Sequence, residues 1–432
     1  MNYRKAIFFG LLTSATFIYA DTAWTLEACL KQAKEKSLKL ESAKLREQQA
    51  DISVKQANID RYPSLSANIN NSLHDHPFVD GPKDHYSFSV GLNGSMTLWN
   101  GGATTLSIEA SQLNKQAAVY TTQQTELSIQ ESVLNAYMSL LAANENLHTA
   151  NASVELAQAE FEHYNKLFDA GAITKKDLTQ SQSNVLQKQA SQLTAQLSVN
   201  TAKTTLRQLL ELDADAAFEI SAPEASIASP DSLPALPKYE DLTQESRKVN
   251  PGLKADSISI RAAKKNTELA GKNNSITVTL GASANSGFSA WESDRYGRQL
   301  KNGYQHSISL GINIPIIDRG ATENKVLSAQ VNEAETQLAL KEADKTLENN
   351  LEKLYLNALS ADMQWKAAIL QVEAEQEALQ VAEEQRNAGA ITYTDFLTQK
   401  NNLEKAQVTL TNAKYTSLLA RKLIDLYQGK LN

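Results

Sequence analysis

FDAGAITKKDL at residues 168–178 returns as RNAGAITYTDF at 386–396, and each AGAIT interrupts a long run that otherwise has neither glycine nor proline. The copies start at Ala170 and Ala388, an offset of 388 − 170 = 218. The same offset joins LWNGGAT (98–104) to IIDRGAT (316–322). Ala103 to Ala170 and Ala321 to Ala388 are both 68-residue stretches free of glycine and proline. Equal lengths between equal landmarks indicate an internal duplication. Further upstream SLKLESAKL (37–45) matches GLKADSISI (252–260) at an offset of 215, so a few insertions separate the halves. The first repeat is read as 21–213 and the second as 239–432. Between them, 214–238 holds four of the nine prolines and is read as an extended linker.

The 68-residue runs are rich in Ala, Gln, Leu, Glu and Asn, and at ~1.5 Å per residue one continuous helix of that size reaches ~100 Å. Helices this long need to pack on one another. Leu403, Ala406, Leu410, Ala413, Ser417, Ala420, Ile424 and Tyr427 keep a 3-4 spacing that supplies such a seam. A second seam runs Val133, Tyr137, Leu140, Leu147, Val154 and Phe161, interrupted by Asn144, Asn151 and Gln158. AGAIT then reads as the turn between two antiparallel helices. Gly171 and Gly389 take the left-handed conformation that ends one helix, and Thr174 and Thr392 cap the next. The tips are 170–174 and 388–392, expected at the end of the molecule remote from its strands.

Period-two patterning marks those strands. In HYSFSVGLNGSMTLW (85–99), Phe88, Val90, Leu92, Met96 and Leu98 alternate with small polar residues; Ile308, Leu310, Ile312, Ile314 and Ile316 repeat the pattern 218 residues later. The expected strands are 64–73 and 86–98 in the first repeat, and 275–284 and 304–317 in the second. Each repeat is thus helix, two strands, long helix, turn, long helix.

The first residues, MNYRKAIFFGLLTSATFIYA, pair Arg4 and Lys5 with an apolar run and Ala20, the pattern of a cleaved secretory signal at 1–20. Cys29 is the only cysteine, which excludes an intrachain disulfide. No later stretch approaches eighteen consecutive apolar residues, so any membrane crossing falls to β-strands. Removing Arg4 and Lys5 takes the formal charge from −7 to −7 − 2 = −9, which argues against nucleic acid as a partner. Neither a glycine-rich phosphate loop nor a nucleophile constellation is found, so no enzymatic activity and no cofactor are expected.

Strands of about ten residues with one apolar and one small polar face fit an outer-membrane β-barrel, or else a soluble sandwich. Four strands cannot close a barrel, because about eight are needed. Two copies give eight strands and a filled interior; three give twelve and a lumen, which a conduit requires.

These residues resemble the TolC-type outer-membrane channel-tunnel family. The marks are the duplicated G-x-x-T-x-x-D turns (Gly171 to Asp177, Gly389 to Asp395), the corners LWNGG and IIDRG, and Gly429. The resemblance implies an α+β membrane protein whose duplicated units form a trimeric twelve-stranded barrel, continuous with a long periplasmic α-helical barrel. It implies an outer-membrane location with most of the chain in the periplasm. The implied role is a passive exit duct of a tripartite efflux pump or type I secretion system. The implied partners are a homotrimer, a periplasmic adaptor, an inner-membrane transporter of the RND, ABC or MFS type, and outer-membrane lipid. The competing reading is a periplasmic or secreted coiled-coil scaffold that enters no membrane; the absence of a lipoyl-like β domain weighs against it.

Within that resemblance, Gly171, Ala172, Ile173, Thr174, Gly389, Ala390, Ile391 and Thr392 are candidate adaptor contacts. Asp395, and less strongly Asp177, are candidates for the constriction at the periplasmic entrance, although Thr398 stands where some members add a second acid. Val90, Leu92, Leu310 and Ile312 are expected to face lipid. HDHPFVDGPKDH (74–85) gathers His74, His76, His85, Asp75, Asp80 and Asp84; it is read as an extracellular loop, like 286–303, and no metal site is assigned. Trp99, Phe288, Trp291, Tyr296 and Tyr304 are candidates for an interfacial aromatic girdle.

Overall fold

Duplication is visible in the elements themselves. A computed structural model describes residues 23–75, 84–213, 218–221, 226–290 and 294–431. The signal segment, Trp291, part of the linker and residues 76–83 of the His/Asp loop lie outside the described residues, as do the side chains of the loop's four end residues. Helices α1 (Leu26–Lys36) and α2 (Leu38–Ile59) lead to strands β1 (Ser64–Asp75) and β2 (Asp84–Trp99), then helices α3 (Ala103–Asp169) and α4 (Lys175–Leu209). The second half runs α5 (Tyr239–Val249), α6 (Pro251–Ala270), β3 (Thr277–Ser289), α7 (Tyr296–Asn302), β4 (Gln305–Asn313), α8 (Ala321–Asn387) and α9 (Tyr393–Tyr427). Helices α3 and α8 both have 67 residues, and α4 and α9 both have 35.

The chain divides into two compact units. One takes residues up to Glu35, Val133–Ser232 and Ile369–Tyr415. Here Trp24 bridges Ile220 and sits 5.8 Å from Phe218, so the linker's first described residues are tied down rather than loose. Val133, Tyr137, Leu140 and Val154 are buried along α3. Asn144, Asn151 and Gln158 are exposed, so they sit beside the seam rather than inside it.

The other unit takes Lys36–Ser132, Leu233–Ala368 and Thr416–Asn432 and contains the sheet. Its core is Leu242, Leu347, Leu351, Ala358, Ala420 and Ile424. The linker's second part is pinned here: Arg421 donates from Nη1 to the Pro234 carbonyl (2.6 Å) and clamps the buried Asp362 through Nε (3.1 Å) and Nη2 (2.5 Å). Side-chain bonds also order the helices next to the sheet. Lys115 of α3 reaches Asp51 of α2 (2.6 Å), Lys265 of α6 reaches Glu109 of α3 (3.0 Å), and Thr267 of α6 donates to Glu333 of α8 (3.0 Å). The order is therefore α2, α3, α6, α8, with α2 and α8 on the flanks.

The sheet has the order β1-β2-β3-β4, all antiparallel. Residues opposite one another share a face, so the register assigns both walls. Ile69, Val90 and Ser286 form one rung; Leu92 pairs Ala284, Met96 pairs Leu280, and Leu280 pairs Leu310. That wall is apolar and its large side chains are open: Leu92 is 48% exposed, Leu310 61% and Ile312 61%. From the rung Ser64–Ser95 to Ser72–Ser87, and along β3 and β4, the reverse wall is Ser, Thr, Asn, Gln and Gly. A register shift between Thr97 and Trp99 places Trp99, not Leu98, opposite Val278 and so on the apolar wall.

Two features depart from the sequence reading. The strand read over 304–317 stops at Asn313, because Pro315 has no N–H for a ladder and restricts Ile314 before it. The loop read over 286–303 is partly ordered: β3 extends to Ser289, and α7 covers the edge that β4 leaves open. Gln299 Oε1 accepts the Ser289 N–H (2.7 Å), and Ser286 Oγ donates to the Leu300 carbonyl (2.5 Å).

Among the described residues two non-glycine residues have positive φ, Glu211 (52°) and Arg319 (55°), and they fall 218 positions before Gly429 (71°) and after Gly101 (68°). The duplicated backbone keeps its left-handed turns even where one copy lost the glycine. At Gly101 a Cβ would lie 2.4 Å from Ser275 Cβ. For an L-residue the left-handed region costs about 1–2 kcal/mol, against about 0.5–1 kcal/mol of extra unfolded-state entropy for glycine. Arg319→Gly is therefore expected to leave thermal stability unchanged or slightly raised, while Gly101→Arg, its mirror substitution, lowers it because Ser275 blocks the site. Equal melting temperatures for the two variants would refute this account.

Candidate functional site

Each tip closes its two helices with local bonds alone. In the first, Gly171 (φ 72°) donates to the Phe168 carbonyl (2.9 Å) and Ala172 to Leu167 (2.9 Å); in the second, Gly389 (φ 71°) donates to Arg386 (2.9 Å) and Ala390 to Gln385 (2.8 Å). This paired pattern is the Schellman motif. Capping boxes then start the following helices. Thr174 Oγ1 accepts the Asp177 N–H (3.3 Å) while Asp177 Oδ2 accepts the Thr174 hydroxyl (2.7 Å) and N–H (3.3 Å). Thr392 and Asp395 repeat it at 3.2, 2.7 and 3.2 Å.

The eight tip residues separate into two groups. Gly171, Ala172, Thr174, Gly389, Ala390 and Thr392 are exposed. Ile173 and Ile391 turn inward and pack against a core of Tyr164, Ala382, Tyr393, Phe396 and Leu397. The Tyr164 and Tyr393 rings meet at a tilt of 42° with centroids 4.4 Å apart, and the Arg386 guanidinium lies 4.1 Å over the Phe396 ring. Burial pushes the Tyr393 hydroxyl up to about 12. An aromatic core beneath the turns was not evident from AGAIT itself. The signal lay just after it, where Tyr393 stands at the repeat position of Lys175.

That asymmetry also separates the two aspartates. Asp177 follows the exposed Lys175 and Lys176, whereas Asp395 follows Tyr393 and Thr394. Asp395 opens onto a groove of about 480 Å³ between α8 and α9, shared with Glu377, Gln385 and Gln399 and lined by no cation. Both acids serve as caps; Asp395 alone has an acidic surround.

Above the tips, two ion pairs bind one hairpin to the other. Lys188 of α4 bonds Glu404 of α9 and Asn401 Oδ1 (2.7 Å), and Lys400 of α9 bonds Glu160 of α3 (2.8 Å). Lys188 is mostly buried; its side chain is 10% exposed. Sequence spacing gave no sign of these pairs, because their partners are more than two hundred residues apart.

A sheet with one apolar and one uncharged polar wall, joined to duplicated long helical hairpins with matching tips, defines a membrane channel prolonged by helices. Comparison with known proteins identifies the family. The model of the outer membrane efflux protein family matches residues 29–211 and 242–429, and the chain belongs to that family. It is thus an outer-membrane protein, of a family of channels rather than enzymes. The outer membrane efflux protein BepC of Brucella suis biovar 1 (strain 1330) is 26% identical over 260 residues, 58% of this chain and 52% of BepC. The chain thus spans about half the length of that curated relative. Crystal structures of CusC share the fold at TM-score 0.78 and 18% identity, covering 95% of each chain. VceC of Vibrio cholerae does so at 0.74 and 20%, covering 94% of this chain and 97% of VceC. The open-state MtrE channel of Neisseria gonorrhoeae does so at 0.76 and 20%, covering 94% and 89%. Among the described residues no helix is long and apolar enough to cross a membrane, and no group of three or more metal-ligating side chains occurs.

Breaking a buried pair by removing one partner costs about 3–5 kcal/mol, while replacing both by apolar groups is often neutral. Lys188→Ala is accordingly expected to lower the melting temperature markedly, and Lys188→Met with Glu404→Leu to recover most of it. A single variant as stable as the parent would remove this pair from the account.

Proposed function

We propose that three copies of the chain close a twelve-stranded barrel continuous with a helical tunnel, forming the exit duct of a tripartite efflux pump or of a type I secretion system. The observation that carries this is the coincidence of open edges. β1 and β4 are the free edges of the sheet, α2 and α8 flank the adjoining helices, α2 runs into β1, and β4 runs into α8. Both flanks expose apolar side chains in one chain: Leu45, Ile52 and Ile59 on α2, at intervals of seven, and Leu327, Val331 and Leu338 on α8. One edge of a copy thus suits the other edge of the next. Such a head-to-tail interface makes a ring when its rotation closes. Unpaired strand edges in lipid also leave backbone groups unsatisfied. Two copies would supply eight strands, enough only for a filled interior; the uncharged polar wall suits water, which favours three.

The apolar wall, with Val90, Leu92, Leu310 and Ile312, then faces outer-membrane lipid. The exposed tip residues Gly171, Ala172, Thr174, Gly389, Ala390 and Thr392 meet a periplasmic adaptor, which connects the duct to an inner-membrane transporter of the RND, ABC or MFS type. Ile173 and Ile391 hold the tips in shape from inside. Asp395, once from each copy, supplies the negative charge of the periplasmic entrance; Asp177, flanked by lysines, contributes less.

Detergent-extracted protein is expected to have the mass of a trimer and to form pores. Leu310→Arg should block insertion at a cost of about 2–4 kcal/mol, while Ser309→Arg on the opposite wall inserts. A stable, membrane-free monomer, or equal effects on both walls, would rule out the barrel. Asp395→Ala should reduce cation preference in planar bilayers at low salt, where charge is least screened, without loss of assembly. Unchanged selectivity would take Asp395 out of the entrance.

A further inference from the structure

Resting on the barrel reading above, we infer that the membrane-spanning lumen of this channel is charge-blind, so that cations, anions and neutral molecules of one size pass it alike. The chain is 21% charged, so about five of the twenty-three polar-wall positions whose side chains are described would carry a charge at the average rate. None does. From the rung Ser64–Ser95 to Ser72–Ser87, and across Thr277–Ser289 and Gln305–Asn313, the wall is Ser, Thr, Asn, Gln or Gly.

Part of this wall's hydrogen bonding is already used. Asn93 Nδ2 donates to Asn68 Oδ1 (2.7 Å), Asn285 Nδ2 donates to Ser283 Oγ (3.3 Å), and hydroxyls pair between Ser283 and Ser307 (2.9 Å) and between Ser64 and Ser95 (3.0 Å). Gly91 leaves the room for this: a Cβ there would lie 2.4 Å from Asn285 Oδ1 and 2.9 Å from Asn68 Oδ1, so the two amides rest over the glycine along the wall. Where side chains pair in this way they offer passing solute fewer free donors and acceptors. A fixed charge in a confined, poorly screened pore would instead sort ions by sign. The wall wets the lumen and holds cargo weakly.

The test uses the full-length channel carrying Asp395→Ala, so that the proposed entrance charge does not set the ratio, in planar bilayers under a potassium chloride gradient at low salt. Ser283→Asp and Ser283→Lys are expected to move the permeability ratio in opposite directions by similar factors, about twofold each. If the lysine variant shifts the ratio and the aspartate variant does not, or the reverse, a fixed charge already governs this lumen and the inference is overturned while the barrel stands. If neither shifts it, Ser283 does not face the lumen and the barrel reading itself fails. Ser309→Asp and Ser309→Lys, on the same wall of β4, repeat the measurement if a Ser283 variant does not insert.

Discussion

Four hydrogen-bonded strands with two free edges cannot stand alone in lipid, and much of the rest of this molecule follows from that constraint. In water an unpaired edge loses little, because solvent takes up its N–H and C=O groups. In hydrocarbon nothing does, and each orphan group costs several kcal/mol. The chain covers part of one edge itself, where α7 and Gln299 satisfy Ser289 beyond the end of β4. The remaining length of β4, and all of β1, fall to a neighbouring copy in the assembly proposed here. Flanking helices with exposed apolar stripes at those same edges extend the requirement into the aqueous part of the protein. Membrane and helical assembly thus share one cause.

Duplication explains the economy of the design, and its imperfections show where the two halves separated. The paired 67-residue and 35-residue helices keep one geometry, down to left-handed turns that Glu211 and Arg319 occupy at some cost. Where the copies differ, the difference carries chemistry. Lys175 and Lys176 offset Asp177 in the first tip; Tyr393 and Thr394 leave Asp395 in an acidic groove and add an aromatic core below it. In the proposed trimer the duplicated chain would therefore present alternating, unequal tips rather than six equivalent ones.

Much of this was legible in the sequence because the signals were periodic and local. Equal glycine-free runs marked the long helices, AGAIT named its own left-handed glycine and capping threonine, and alternation assigned the two walls. Elements whose ends depend on a neighbour were less legible. Pro315 shortens β4, the irregularity at Thr97/Trp99 exchanges Leu98 for Trp99 on the apolar wall, and α7 exists because an edge of β3 needs cover. Ile173 and Ile391 looked like surface residues in a turn motif, but only the fold shows the aromatic core they fill. Lys188 with Glu404 and Glu160 with Lys400 were invisible, since nothing local distinguishes a buried lysine from a solvated one in a polar helix.

The tips also constrain how the proposed adaptor would bind. Schellman bonds satisfy the helix-ending carbonyls, and capping boxes satisfy the helix-starting N–H groups, so much of the backbone polarity in each turn is already used. A partner gains little from the main chain and must recognise shape and side chains. The exposed side chains are small, Gly, Ala and Thr, which permits close approach of another helix or turn. Binding energy then comes from the area of a close fit, to which the two unequal tips contribute different surroundings. A surface of this kind suits a partner that docks by complementarity of form, and the buried ion pairs above the tips keep that form fixed between encounters.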